Sequence, residues 1–216
     1  MKTSRGLMKI LIGLLFLYLN TKILVSADPN GPCIYLFPSF IGYLLFAWSI
    51  KDLDGMEEYH AAFRVMKRFT IAAAILTFTL CVANCMISSF REIGEAIILI
   101  IGIVYQIYLF NMLKRLAVVY DSEKDIVFQM MSALIPTAYL ALWITPIMIL
   151  PVSSLSSLII MLVFNVLTQI IKAVALIYIL AFRKEVKQIE KKAAQTQPAE
   201  TDPPEAQLPE TKQTAV

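Results

Sequence analysis

Six long apolar runs divide this chain, and the gaps between them alternate between basic and nearly base-free. The runs fall at about 8–27, 33–50, 69–90, 96–113, 128–151 and 156–182. Of the 19 Lys and Arg residues, 16 lie in the first nine residues, in the second and fourth gaps, or after the sixth run. Lys2, Arg5 and Lys9 lead the chain; Lys51, Arg64, Lys67 and Arg68 form the second group. Lys114, Arg115 and Lys124 form the third, and the last begins at Arg183. The opposite side holds only Lys22 and Arg91, and Lys172 alone lies in the middle of a run. Basic residues are retained on the cytoplasmic side, so this distribution orients the chain. It predicts an all-α, polytopic membrane protein: a bundle of six transmembrane helices in the plasma membrane, with both termini cytoplasmic.

Composition leaves little room for anything else. The chain has 216 residues, 58% of them hydrophobic, and a mean hydropathy of +0.70. A spanning helix takes ~20 apolar residues, so six of them use most of residues 1–192. Residues 193–216, rich in Gln, Thr, Pro, Ala and Glu, cannot bury a core and are expected to form a disordered cytoplasmic tail. The lipid bilayer is the expected partner, and nucleic acid is not, because no basic surface is interleaved with aromatics. Three Cys and one His make no metal-ligand set, so no metal or cofactor is expected. Cys33, near the outer boundary, is the one thiol placed for an intermolecular disulfide.

The first run carries two readings. Val25-Ser26-Ala27 resembles a signal-peptidase site behind a basic n-region, but Asn20, Thr21 and Lys22 interrupt the apolar core, which favours a retained helix. Asp28-Pro29-Asn30-Gly31-Pro32 is dense turn chemistry. After it, Leu36-Phe37-Pro38-Ser39-Phe40-Ile41-Gly42-Tyr43-Leu44-Leu45 resembles a Pro-Asp-Phe-Ile-Gly-Tyr-Ile-Leu segment of an uncharacterised family of small bacterial multi-pass proteins. The resemblance covers about residues 10–54, with Ser39 standing where that family carries an acid. It implies an inner-membrane protein of the six-helix type and supplies no activity.

Within 51–68, Leu53, Met56, Tyr59, Phe63 and Met66 recur at helical spacing between charges. That stripe predicts an amphipathic helix on the cytoplasmic interface, with docking of a protein partner as the sharper alternative. Glu57-Glu58 and Arg64 do not make an intramembrane protease motif, since the spacing differs and His60 is the only His. In the third run Thr77, Cys81, Asn84 and Ser88 align as a weakly polar packing stripe. Pro38, Pro136 and Pro146 are candidate helix breaks. Pro38-Ser39 and Pro136-Thr137 occupy matching places in the two halves, a pattern that in transporters marks a binding site.

The sixth run is the most informative. Asn165, Thr168, Gln169 and Lys172 share one face across two turns. A mid-helix Lys costs ~2.5–3.5 kcal/mol on insertion scales. The 11 residues to Arg183, ~16 Å of helix, put the interface beyond the reach of its stem. The stripe is either a polar cavity or a seam bonded to neighbours such as Asn84 and Gln106. No Ser/Lys dyad, phosphate loop or spaced ligand set points to an enzyme. The expected function is a small permease-like or membrane substrate-binding subunit; the alternative is a non-transporting sensor, regulator or assembly subunit.

Overall fold

The computed structural model describes residues 2–19, 22–24, 33–53, 60–86, 91–149 and 154–196. Six helices dominate it: α1 (Lys2–Tyr18), α2 (Ser39–Leu53), α3 (His60–Met86), α4 (Arg91–Val119), α5 (Asp125–Ile149) and α6 (Ser154–Thr196). Each packs on its neighbour in the chain, and α6 returns to pack on α1. The helices therefore close a ring. Short β-strands β1 (Lys22–Leu24) and β2 (Cys33–Tyr35) pair antiparallel between α1 and α2, with Lys22 opposite Tyr35 and Leu24 opposite Cys33.

Four of the helices are long and apolar enough to cross a membrane, over Ala62–Met86, Ile93–Val119, Asp125–Leu142 and Leu158–Gln195. Their outward surfaces are apolar, with Ile75, Ile100, Met130 and Ile177 all more than half exposed. In water such a continuous apolar surface would aggregate; in lipid it is the ordinary exterior. The first two helices are shorter than the sequence predicts. The run 8–27 gives 17 residues of helix ending at Tyr18, and the run 33–50 gives 15 residues beginning at Ser39. At 1.5 Å per residue they rise ~26 and ~22 Å, short of a ~30 Å hydrocarbon core. Among the described residues, β1 and β2 are extended chain where the apolar runs predict helix. Val25-Ser26-Ala27 and the turn at 28–32 lie outside the described residues.

Glycine holds the short helices together. Gly6 and Gly13 on α1 face Ser49 and Gly42 on α2, both pairs seven residues apart and running antiparallel. A Cβ built on Gly42 would lie 2.6 Å from the Gly13 carbonyl oxygen, and one on Gly13 2.9 Å from that of Gly42. The backbones touch, as small residues permit in membrane helix pairs. Nearby, Lys9 Nζ donates to Asp52 Oδ2 at 2.7 Å and stands 4.4 Å from the centre of the Trp48 ring.

The described parts of the 51–68 segment belong to two helices. Residues 51–53 complete α2, 60–68 are the first turns of α3, and Met56 and Tyr59 lie outside the described residues. Leu53, Phe63 and Met66 are each buried in the core. The described part of the stripe packs against neighbouring helices, because its apolar side gains more from that burial than from headgroups. The prolines are also corrected. Pro38 precedes α2, where a missing N–H costs nothing, and α5 runs unbroken through positions 136 and 146. The matched-break pattern therefore has no structural counterpart. Helix α6 reaches Thr196, four residues into the expected tail; 197–216 lie outside the described residues.

One end of the ring is tied by polar contacts. The Tyr120 hydroxyl donates to Thr3 Oγ1 at 3.0 Å, Arg183 Nε to the Ser4 carbonyl at 3.2 Å, and the Thr3 amide to Glu190 Oε1 at 3.0 Å. Ser122 donates to Glu185 at 2.8 Å, and Lys124 pairs with the same carboxylate. Burial alone pushes the Glu185 carboxyl up, but the hydrogen bonds from Lys124 and Ser122 and the Lys124 charge bring it below the ordinary value. A lowered carboxyl contributes stability above its unfolded pKa, lost as pH falls through the folded one. Glu185→Gln should therefore cost a few tenths to about 1 kcal/mol at neutral pH, as half-exposed pairs do. Melting curves of the two proteins should converge as the buffer is acidified through the carboxylate range. A gap that persists in acid would show that the ion pair is not its source.

Candidate functional site

Inside the ring lies a cavity of about 390 Å³. Its floor is aromatic. The Tyr105 ring stacks on Phe46 at 4.8 Å and meets Tyr43 edge-on at 5.0 Å, while Phe69 lies parallel to Tyr105 at 6.4 Å. The Tyr105 hydroxyl is hydrogen-bonded to Thr70. Beyond this layer, towards the tied end, the interior is filled by Ile10, Leu53, Leu113, Phe128 and Phe182, all nearly inaccessible. The cavity thus opens away from the tied end, towards the β-hairpin, whose Tyr35 forms part of its wall.

Lys172 sits at the deep end. Its side chain is buried, with Nζ 4.6 Å from the centre of the Tyr139 ring and 5.5 Å from that of Tyr18. Among the described residues no carboxylate pairs with it and it makes no hydrogen bond. Electron-rich ring faces attract a cation, but they do not replace the hydration it has lost. Gln106, which hydrogen-bonds the Tyr139 hydroxyl, lies at the same depth on α4. Glu95 lines the cavity too, 11 residues earlier on that helix and so ~16 Å nearer the hairpin. The carboxylate stands at the mouth and the ammonium at the bottom.

Four further polar atoms around this cavity are buried without a hydrogen-bond partner among the described residues: Tyr18 Oη, Ser39 Oγ, Tyr43 Oη and Gln106 Oε1. Buried polar groups are nearly always satisfied, and leaving one unsatisfied costs ~1–3 kcal/mol. Four orphans around one cavity, beside an unpaired ammonium, call for polar occupants such as water or a solute.

The predicted stripe divides here. Lys172 and Gln169 line the cavity. Thr168 is buried and turns its hydroxyl to its own helix, donating to the Phe164 carbonyl at 2.8 Å. Asn165 is exposed and accepts from Gln169 Nε2 at 3.4 Å. Of the two expected bonding neighbours, Gln106 shares the cavity, whereas Asn84 donates to Tyr35 Oη at 3.4 Å and packs on Gly94. Thr77, Cys81 and Asn84 are buried as the packing stripe requires; Ser88 lies outside the described residues. Sequence reasoning missed Tyr18, Ser39, Tyr43, Glu95 and Tyr139. The available signal was tyrosine hydroxyls recurring within runs on three different helices.

Comparison with family models, with curated proteins and with solved structures gives no match. The functional reading therefore stands on this geometry.

Proposed function

We propose that the chain is a small permease-like or membrane substrate-binding subunit whose ring cavity takes up a small solute carrying an anionic group. The observation that carries this reading is Lys172, a buried ammonium without a carboxylate partner among the described residues, at the bottom of a cavity lined by orphaned polar atoms. An anionic group there would supply the charge partner the helix lacks, and Gln106, Tyr18 and Tyr43 offer it hydrogen bonds. About 390 Å³ is in the range of small-molecule sites. In this reading the two short helices and the hairpin complete six membrane crossings, both termini are cytoplasmic, and the cavity faces outward in the plasma membrane. Non-helical chain at membrane depth is tolerated where it lines a cavity, which is where β2 places Tyr35. The sealed floor and the tied end fit the outward-open half of an alternating-access cycle. A sensor or assembly subunit would share this site, and the extension of α6 to Thr196 is the feature on its side.

Orientation and access are tested together. Reporter fusions after residues 120 and 195 should read cytoplasmic, and fusions after 30 and 93 external. With Cys33, Cys81 and Cys85 replaced by Ser, Gln169→Cys in intact cells should react with a membrane-impermeant sulfonate thiol reagent. The matching trimethylammonium reagent should react about tenfold more slowly, since Lys172 repels it at short range. External fusion signals at 120 would overturn the topology. Silence towards both reagents would sink the cavity reading.

A further inference from the structure

A second recess lies on the outside of the ring, between α3 and α4. It encloses about 920 Å³, and its walls are apolar: Phe63, Met66, Phe69, Val104, Met112 and Leu116. It opens sideways, with Val65 67% and Tyr108 56% exposed along it. The polarity is confined to one end. Asn111, Lys114 and Arg115 rim the recess within three turns of the end of α4, on the tied side of the bundle. Lys67 and Arg68 add positive charge to the first turns of α3. Neither the described part of α3 nor α4 after Glu95 contains an acid.

We propose that this groove is a binding site for an anionic glycerophospholipid. An apolar cleft that opens to the surrounding lipid and ends in a basic rim at headgroup level matches one kind of molecule end to end. The acyl chain would lie along Phe69 and Val104, and the phosphodiester would meet Lys114 and Arg115. A guanidinium offers paired N–H donors to phosphate oxygens. Lys114 Nζ gives one bond, to Gln129 Oε1 at 2.9 Å, and an ammonium has three protons to give. A water-soluble solute would gain nothing from the walls, and a zwitterionic lipid would lose the charge match. Basic pockets between membrane helices on the cytoplasmic side hold anionic headgroups by this logic. The site is independent of the central cavity, from which the Phe69–Tyr105 layer separates it.

Native mass spectrometry and thermal unfolding of the purified protein in neutral detergent test the proposal. The probes are phosphatidylglycerol, phosphatidylcholine with the same acyl chains, and inorganic phosphate. Phosphatidylglycerol is expected to give a one-to-one adduct and raise the unfolding temperature, with phosphatidylcholine at least about tenfold weaker. Arg115→Gln, at an exposed residue the fold does not depend on, should remove most of that preference. Val104→Trp, which fills the groove, should abolish the adduct for both lipids. Equal binding of the two lipids would overturn the proposal, as would an Arg115→Gln variant that keeps its preference. Protection by phosphate alone equal to that by phosphatidylglycerol would reduce the site to an anion-binding rim and also refute the lipid.

Discussion

Lys172→Met is expected to leave the melting temperature in detergent unchanged or raise it, while removing the attraction of the cavity for anions. The expectation rests on what the ammonium lacks. It makes no hydrogen bond to a described residue, so its removal orphans nothing. What is lost is attraction to the rings of Tyr139 and Tyr18, about 1–2 kcal/mol at a desolvated site. What is gained is relief from holding a charge in the bundle, ~2.5–3.5 kcal/mol on insertion scales. Met keeps the volume of the stem, so no void opens. The gain at least matches the loss.

The functional arm has the opposite sign. At Gln169→Cys the roughly tenfold preference for the sulfonate reagent should fall to about one, because charge and not shape produces it. Lys172→Arg keeps the charge and should retain the preference, separating a charge effect from a general disturbance of the cavity. Stabilisation by a bound anionic solute, sought by screening small carboxylates and phosphates in thermal unfolding, should vanish in Lys172→Met. A loss of ~1–3 kcal/mol in stability with no change in reagent preference would mean that Lys172 belongs to a bonded polar seam.

Helices α3 to α6 were legible in the apolar runs at 69–90, 96–113, 128–151 and 156–182, because runs of that length and hydropathy are long enough to cross a membrane as helix. The hairpin was not legible. Lys22-Ile23-Leu24 and Cys33-Ile34-Tyr35 sit in continuous apolar runs, and hydropathy alone does not separate strand from helix in so short a segment. Asn20 and Thr21 marked the break, but composition could not say what followed. The 51–68 stripe was legible only in part, for a related reason. Amphipathic spacing tells which residues share a face and not whether that face meets headgroups or the bundle, and Leu53, Phe63 and Met66 meet the bundle. At the site, Lys172 stood out because its cost is intrinsic to the residue. Tyr18 and Tyr43 did not, because a tyrosine is unremarked until its hydroxyl is found without a partner, which only the packing reveals.

The α1–α2 contact yields the largest expected change in stability. Gly→Ala inside a helix normally gains up to ~1 kcal/mol from helix propensity, so the sign of the effect reports the surroundings. At Gly102 a Cβ would meet only Tyr43 Oη, at 3.8 Å, an ordinary contact, and Gly102→Ala should be neutral or slightly stabilising. At Gly42 the Cβ would meet the Gly13 carbonyl oxygen at 2.6 Å. That oxygen is held by the backbone of α1 and cannot rotate away as a side chain would. The helices must separate, which loosens Gly6 from Ser49 and Lys9 from Asp52 along the same seam. Gly42→Ala should then cost ~3 kcal/mol, at the upper end of overpacking penalties, and Gly42→Leu should prevent the monodisperse folded state. The consequence reaches the site, because Tyr18 ends α1 while Ser39 and Tyr43 flank Gly42 on α2. Solute-dependent stabilisation and reagent access at 169 should fall together in Gly42→Ala, whereas Gly102→Ala should leave the fold intact. Melting temperatures in one detergent decide it: a Gly42→Ala protein as stable as the parent would show that the two backbones do not touch, and the cavity wall they build would have to be drawn differently.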